Sequence, residues 1–74
     1  MAEVQPAVHS DPEIMGGTAV FVGTRVPFQT LLDYLEAGDT LDEFLDQFPT
    51  VTRALAVAAL EQAKEALLAR ARTA

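Results

Sequence analysis

The chain has no cysteine and a single histidine, His9. Disulfide staples are therefore excluded, and so is a zinc site assembled from Cys and His ligands. Serine also occurs only once, as Ser10, directly after that histidine. Neighbouring side chains along a strand point to opposite faces, so the two do not form a nucleophile–base pair there. Cations are scarce: 5 Lys and Arg against 11 Asp and Glu give a formal net charge of −6. That balance opposes non-specific DNA binding, which needs cations to neutralise phosphates. It suits solubility and a basic partner surface. No uninterrupted apolar run approaches the ~20 residues of a membrane span. No basic start followed by an apolar core marks a secretory signal. A cytoplasmic protein with no membrane contact is expected. The acidic residues show no metal-binding or acid/base spacing, and Asp33, Glu36 and Asp39 read as solvated charges. Gly16-Gly17 lacks the strand–loop–helix setting and the lysine of a phosphate loop, so it reads as a turn. With no set of residues to carry catalysis, no enzyme, cofactor or metal is expected.

What is present is apolar: 50% of 74 residues are hydrophobic. One small domain of this size buries only about 60% of its unfolded surface, so its own core is marginal. With disulfides and zinc gone, a partner subunit remains as the extra source of stability. A homodimer is expected, with the N-terminal arm as the favoured contact.

Residues 1–6 read as a frayed end. Residues 7–26 read as a β arm: a short strand to Ser10, a turn opened by Asp11-Pro12, and a second strand at Thr18-Ala19-Val20-Phe21-Val22. An isolated hairpin is barely stable, so the arm needs a surface to lie on. Pro27 suits the first position of a helix over 27–37, with Phe28, Leu31, Leu32 and Leu35 on one face and Gly38 at its end. A second helix over 40–48 opens on the capping box Thr40-Leu41-Asp42-Glu43 and carries Leu41, Phe44, Leu45 and Phe48. A third over 52–71, capped by Thr50 or Thr52, is rich in Ala, Leu, Glu and Lys. Its stripe is Ala56, Leu60, Ala63 and Leu67, widened by Ala59. Val57 and Leu68 lie off its edges, exposed or facing another subunit, and are the candidate partner-binding residues. The expected fold is mainly α (α+β): a β-hairpin arm, then a three-helix, helix-turn-helix-like body over the single domain 7–74.

Two cations stand out. Arg25 sits between strand and helix. It either contacts phosphate or a partner, or clamps the arm to the body through Asp11, Glu13 or Asp33; the clamp is the favoured reading. Arg53 opens the third helix, where a recognition helix meets DNA, with Thr50 and Thr52 as hydroxyl donors to phosphate. The equally weighted alternative makes the threonines caps and Arg53 a surface residue.

The ordered run His9-Ser10-Asp11-Pro12-Glu13-Ile14, Gly16-Gly17, Val20-Phe21-Val22-Gly23-Thr24-Arg25-Val26-Pro27 resembles the opening of the domain of unknown function 433 family. The likeness continues through Leu31 to Gly38, Leu41 to Leu45 and Phe48-Pro49-Thr50-Val51, and spans roughly His9 to Glu65. It implies a dimeric prokaryotic protein of the antitoxin type, paired with a PIN-like toxin ribonuclease and binding its own promoter DNA. The alternative is a dimeric helix-turn-helix DNA-binding regulator without a toxin. Related chains often carry a charged or polar pair after the position of Thr52. Here Arg53 is followed by Ala54-Leu55-Ala56, which suits a protein partner better than base reading.

Overall fold

The computed structural model describes residues 5–10, 12–13 and 15–73. Strand β1 (Val8–Ser10), a 3-10 turn at Met15–Gly17 and strand β2 (Ala19–Phe21) form the arm. Helices α1 (Phe28–Glu36), α2 (Leu41–Gln47) and α3 (Arg53–Thr73) form the body. The strands are antiparallel, with Val8 opposite Phe21, His9 opposite Val20 and Ser10 opposite Ala19. The expected frayed end falls outside the described residues through Val4. Gln5 is already held, as shown below.

The joint at 23–27 is more ordered than a simple break between strand and helix. The Thr24 amide donates to the Phe21 carbonyl at 3.0 Å, closing a tight turn. Gly23 takes φ 80°, the left-handed value such a turn needs at its third residue. The Thr24 hydroxyl donates to the same carbonyl at 2.9 Å and accepts from the Val26 amide at 3.1 Å. The chain then folds back on β2: the Phe21 amide donates to the Val26 carbonyl at 2.9 Å, and Val20 bridges Pro27. Pro27 consequently keeps extended angles (φ −66°, ψ 140°) and is the N-cap of α1, not its first helical residue as the sequence suggested. Its lack of an N–H costs nothing in either position.

The helix ends follow local chemistry. Gly38, at φ 93°, donates to the Leu35 carbonyl at 3.1 Å, and Asp39 donates to the Tyr34 carbonyl at 2.9 Å. These two bonds make a Schellman end, which satisfies carbonyls the helix leaves open. Thr40 and Glu43 form the full capping box: the Thr40 hydroxyl accepts from the Glu43 amide at 3.1 Å, and the Glu43 carboxylate accepts from the Thr40 amide at 2.8 Å. At α3 the cap is Thr52, whose hydroxyl accepts from the Leu55 amide at 3.1 Å.

The core joins arm and body. Ala7, Phe21, Leu31, Phe44, Val51, Ala56 and Ala59 are buried together. The four Phe and the one Tyr of the chain form a single connected cluster. Phe44 sits at its centre, 5.0 Å from Phe48, 5.6 Å from Tyr34 and 6.0 Å from Phe21 between ring centroids. Phe21 also meets Phe28 edge-on at 5.8 Å. This corrects the expected face of α1. Leu31 is fully buried and Tyr34 packs on the core, whereas Leu35 is 36% exposed. The helix is turned so that its Leu31–Tyr34 side, not the centre of its leucine stripe, meets α2.

The expected stripe on α3 is also only half used. Ala56 and Ala59 are buried and Leu60 packs partly, but Ala63 is exposed and Leu67 is 68% exposed. The body ends before the helix does. α3 is 21 residues long, or about 31 Å at 1.5 Å per residue. From Ala63 onward every residue whose exposure is described is exposed.

Candidate functional site

The arm is fixed to the body by a side chain the sequence did not single out. Gln62, on α3, accepts from the Ala7 amide through Oε1 at 2.9 Å and donates from Nε2 to the Gln5 carbonyl at 2.8 Å. A primary amide can pair with a strand backbone in this way because it offers one acceptor and two donors side by side. The bonds link residues 55 and 57 positions apart. No short-range sequence signal reports such a pairing.

Among the described residues Arg25 does not take the clamping role expected of it. It is exposed and makes no ion pair or hydrogen bond among the described residues. Of its three expected partners, Asp33 accepts from Gln29 at 2.9 Å instead. Asp11 lies outside the described residues, and Glu13 has other contacts. Arg25 instead stands at the rim of an open groove of about 620 Å³, formed where the 23–27 turn approaches the α2–α3 connection. Val26, Pro27 and Phe48 give the groove its apolar lining, and His9 and Thr50 share the rim with Arg25. His9 comes from β1, on the face it shares with Val20 and Pro27. Ser10 bonds to the Gly17 carbonyl and takes no part.

The residues expected at the start of a recognition helix are committed elsewhere. Arg53 is ion-paired with Asp42 of α2, both side chains being largely exposed at 60% and 74%. Such a surface pair contributes little stability, about 0–1 kcal/mol, but it places a carboxylate against the one cation in this region. Thr52 is occupied as the cap of α3. Thr50 is exposed and lies in the groove, away from that cap. Thus Arg25 and Thr50 line one groove, while Arg53 and Thr52 are engaged outside it.

Val57 and Leu68 are 42% and 44% exposed on α3. Leu67, on the continuation of the core-facing stripe, is exposed because the body ends before the helix does. On the same helix the Lys64 ammonium lies 2.7 Å from Glu61. The hydrogen bond and charge of Glu61 raise the Lys64 pKa above its ordinary value. Among the described residues no group of three His, Asp or Glu side chains could hold a metal ion. No described helix is long and apolar enough to cross a membrane.

A two-stranded arm docked on three helices, with a groove at their joint, defines a small α+β domain. The chain belongs to the family described as protein of unknown function (DUF433), whose pattern matches residues 8–63. It is similar to the crystal structure of a DUF433 member from Anabaena variabilis, with a TM-score of 0.71 and 28% identity, over 93% of this chain and 68% of that one. It is also 35% identical over 51 residues to the uncharacterized protein y4eO of Sinorhizobium fredii. That match takes in 69% of this chain, and it spans 23% of the length of y4eO.

Proposed function

We propose that the chain is an antitoxin-like binding module, which holds a PIN-like toxin ribonuclease and blocks it by covering its surface, with no catalysis of its own. The observation that carries this reading is the groove at the arm–body joint. In a chain of net charge −6, Arg25 is exposed and has no ion pair among the described residues, beside an apolar lining of Val26, Pro27 and Phe48. A cation at the edge of an apolar patch suits a partner segment that offers a carboxylate next to an apolar side chain. Arginine and aromatic residues are the side chains most often dominant in such interfaces. A cytoplasmic setting accords with this reading.

Direct DNA reading by the start of α3 has weaker support, because Arg53 faces Asp42 and the Thr52 hydroxyl is engaged as a cap. Any autoregulation of an operon then depends on cations brought by the bound toxin. The test is co-expression with the nuclease-like product of the adjacent reading frame. The chain should relieve the growth arrest and elute with that protein as one complex. Loss of both effects in Arg25→Glu, with the fold intact by circular dichroism, supports the groove. No relief and no complex with the unaltered chain overturns the reading.

A further inference from the structure

We propose that the groove at the arm–body joint is also a receptor for a small aryl carboxylic acid, which competes there with the protein partner. The chain has 11 acidic residues, yet none lines this groove, whose ionisable side chains are Arg25 and His9. Three other hollows of the surface carry two or three carboxylates each, on α2, on α3 and at the α1–α2 turn. An anion approaching a protein of net charge −6 is therefore repelled least at the groove. Arg25 is exposed and has no ion pair or hydrogen bond among the described residues, so its guanidinium keeps its fork of donors. A planar carboxylate accepts two parallel N–H bonds from such a fork. Thr50, on the same rim, is not needed as a cap, because Thr52 fills that role at α3.

Size and lining select the rest of the ligand. The groove volume of about 620 Å³ lies within the roughly 300–1,000 Å³ of small-molecule sites. Its floor of Val26, Pro27 and half-buried Phe48 is apolar, and an aromatic body can meet the Phe48 ring edge-on or offset. Both walls are set before a ligand arrives. The Thr24 hydroxyl ties the Val26 amide to the Phe21 carbonyl on one side. On the other, Phe48 is held 5.0 Å from Phe44 and 5.9 Å from Tyr34 between ring centroids. Preformed walls lower the ordering cost of binding. The groove is open, so an acid of about ten heavy atoms binds with a Kd on the order of 1 mM. Inorganic phosphate is disfavoured, because it brings a larger charge into an acidic molecule and leaves the apolar floor unused. The bound carboxylate takes the guanidinium that the proposed function gives to a partner's carboxylate. That competition rests on the reading above, whereas binding of the acid does not.

Phenylacetate is the probe, added to the unaltered chain up to about 20 mM at constant ionic strength and followed by NMR. His9, the single histidine, gives isolated ring signals at the rim. These should shift saturably with the amides of Arg25 and Thr50, with a Kd of about 1 mM. Arg25→Ala, its fold checked by circular dichroism, should raise that constant roughly threefold to tenfold, and Arg53→Ala should leave it unchanged. Acetate, which lacks the ring, and 2-phenylethanol, which lacks the carboxylate, should each bind at least about threefold more weakly. No saturable shift overturns the proposal. So does equal binding by Arg25→Ala, or of 2-phenylethanol. At about 10 mM, phenylacetate should also weaken the complex with the nuclease-like product of the adjacent reading frame roughly tenfold. A complex unmoved by bound phenylacetate overturns the competition. Phenylacetate binding with no such complex removes the proposed function and supports the acid site. A complex without phenylacetate binding does the reverse.

Discussion

Replacing Gln62 with leucine tests how the arm is held. The substitution leaves an apolar side chain of similar bulk, one atom shorter, and removes both bonds to the arm, to the Ala7 amide and the Gln5 carbonyl. Each intramolecular hydrogen bond contributes a net ~0.5–1.5 kcal/mol, and the solvent-exposed one to Gln5 belongs at the low end. Ala7 is 3% exposed, so its amide loses its partner where water has little access, which adds a desolvation cost of about 1 kcal/mol or more. The sum is about 2 kcal/mol. For a domain of this size that lowers Tm by roughly 8–16 °C. Thermal unfolding by circular dichroism reads the loss. Amide exchange locates it, because the Val22 amide donates to the Ala7 carbonyl and should lose protection when the arm lifts. Arg25→Ala, by contrast, should change stability by no more than ~0.5 kcal/mol, as an exposed residue with no ion pair or hydrogen bond among the described residues. The reasoning is refuted if Gln62→Leu is as stable as the unaltered chain, or if Arg25→Ala matches its effect.

Three further outcomes follow from the same contacts. Thr40→Ala removes the capping box and should cost about 1 kcal/mol in a denaturant titration, with an unchanged m-value. Phe44→Ala empties the centre of the aromatic cluster at about 3–5 kcal/mol. Against the roughly 4–11 kcal/mol expected for 74 residues, it should remove about half of the stability, visible as a much lower denaturant midpoint. Gly38→Ala forces a Cβ into φ 93° and should cost on the order of 1 kcal/mol, although nothing lies within 4 Å of the added atom.

The features legible in the sequence are those whose causes lie within a few residues. Thr40 and Glu43 are three apart and bond only to each other's backbone, so the capping box could be read directly. Gly38 likewise marks the end of α1, because a left-handed residue is needed there whatever packs around it. Pro27 was placed one position too far into its helix, since the ladder from Val20 that holds it extended comes from seven residues away. Tyr34 was passed over because the leucine period of α1 does not say from which side α2 will approach. The apolar period of α3 runs to Leu67, but the body stops near Ala59, and no local signal reports where the neighbours end. The candidate site follows the same rule. Arg25 was visible as an isolated cation, yet the clamp assigned to it belongs to Gln62, more than thirty residues further along the chain. Thr52 against Thr50 as the cap, and Asp42 as the partner of Arg53, likewise depend on the angle at which α3 leaves the α2 turn.

The groove beside Arg25 is proposed to hold a protein partner. That proposal is tested most directly by calorimetric titration of the chain into the nuclease-like product of the adjacent gene. The account predicts saturable binding, weakened at least tenfold by Arg25→Glu and unchanged by Arg53→Ala. No heat of binding to that protein, or equal affinities for the unaltered chain and Arg25→Glu, would contradict it.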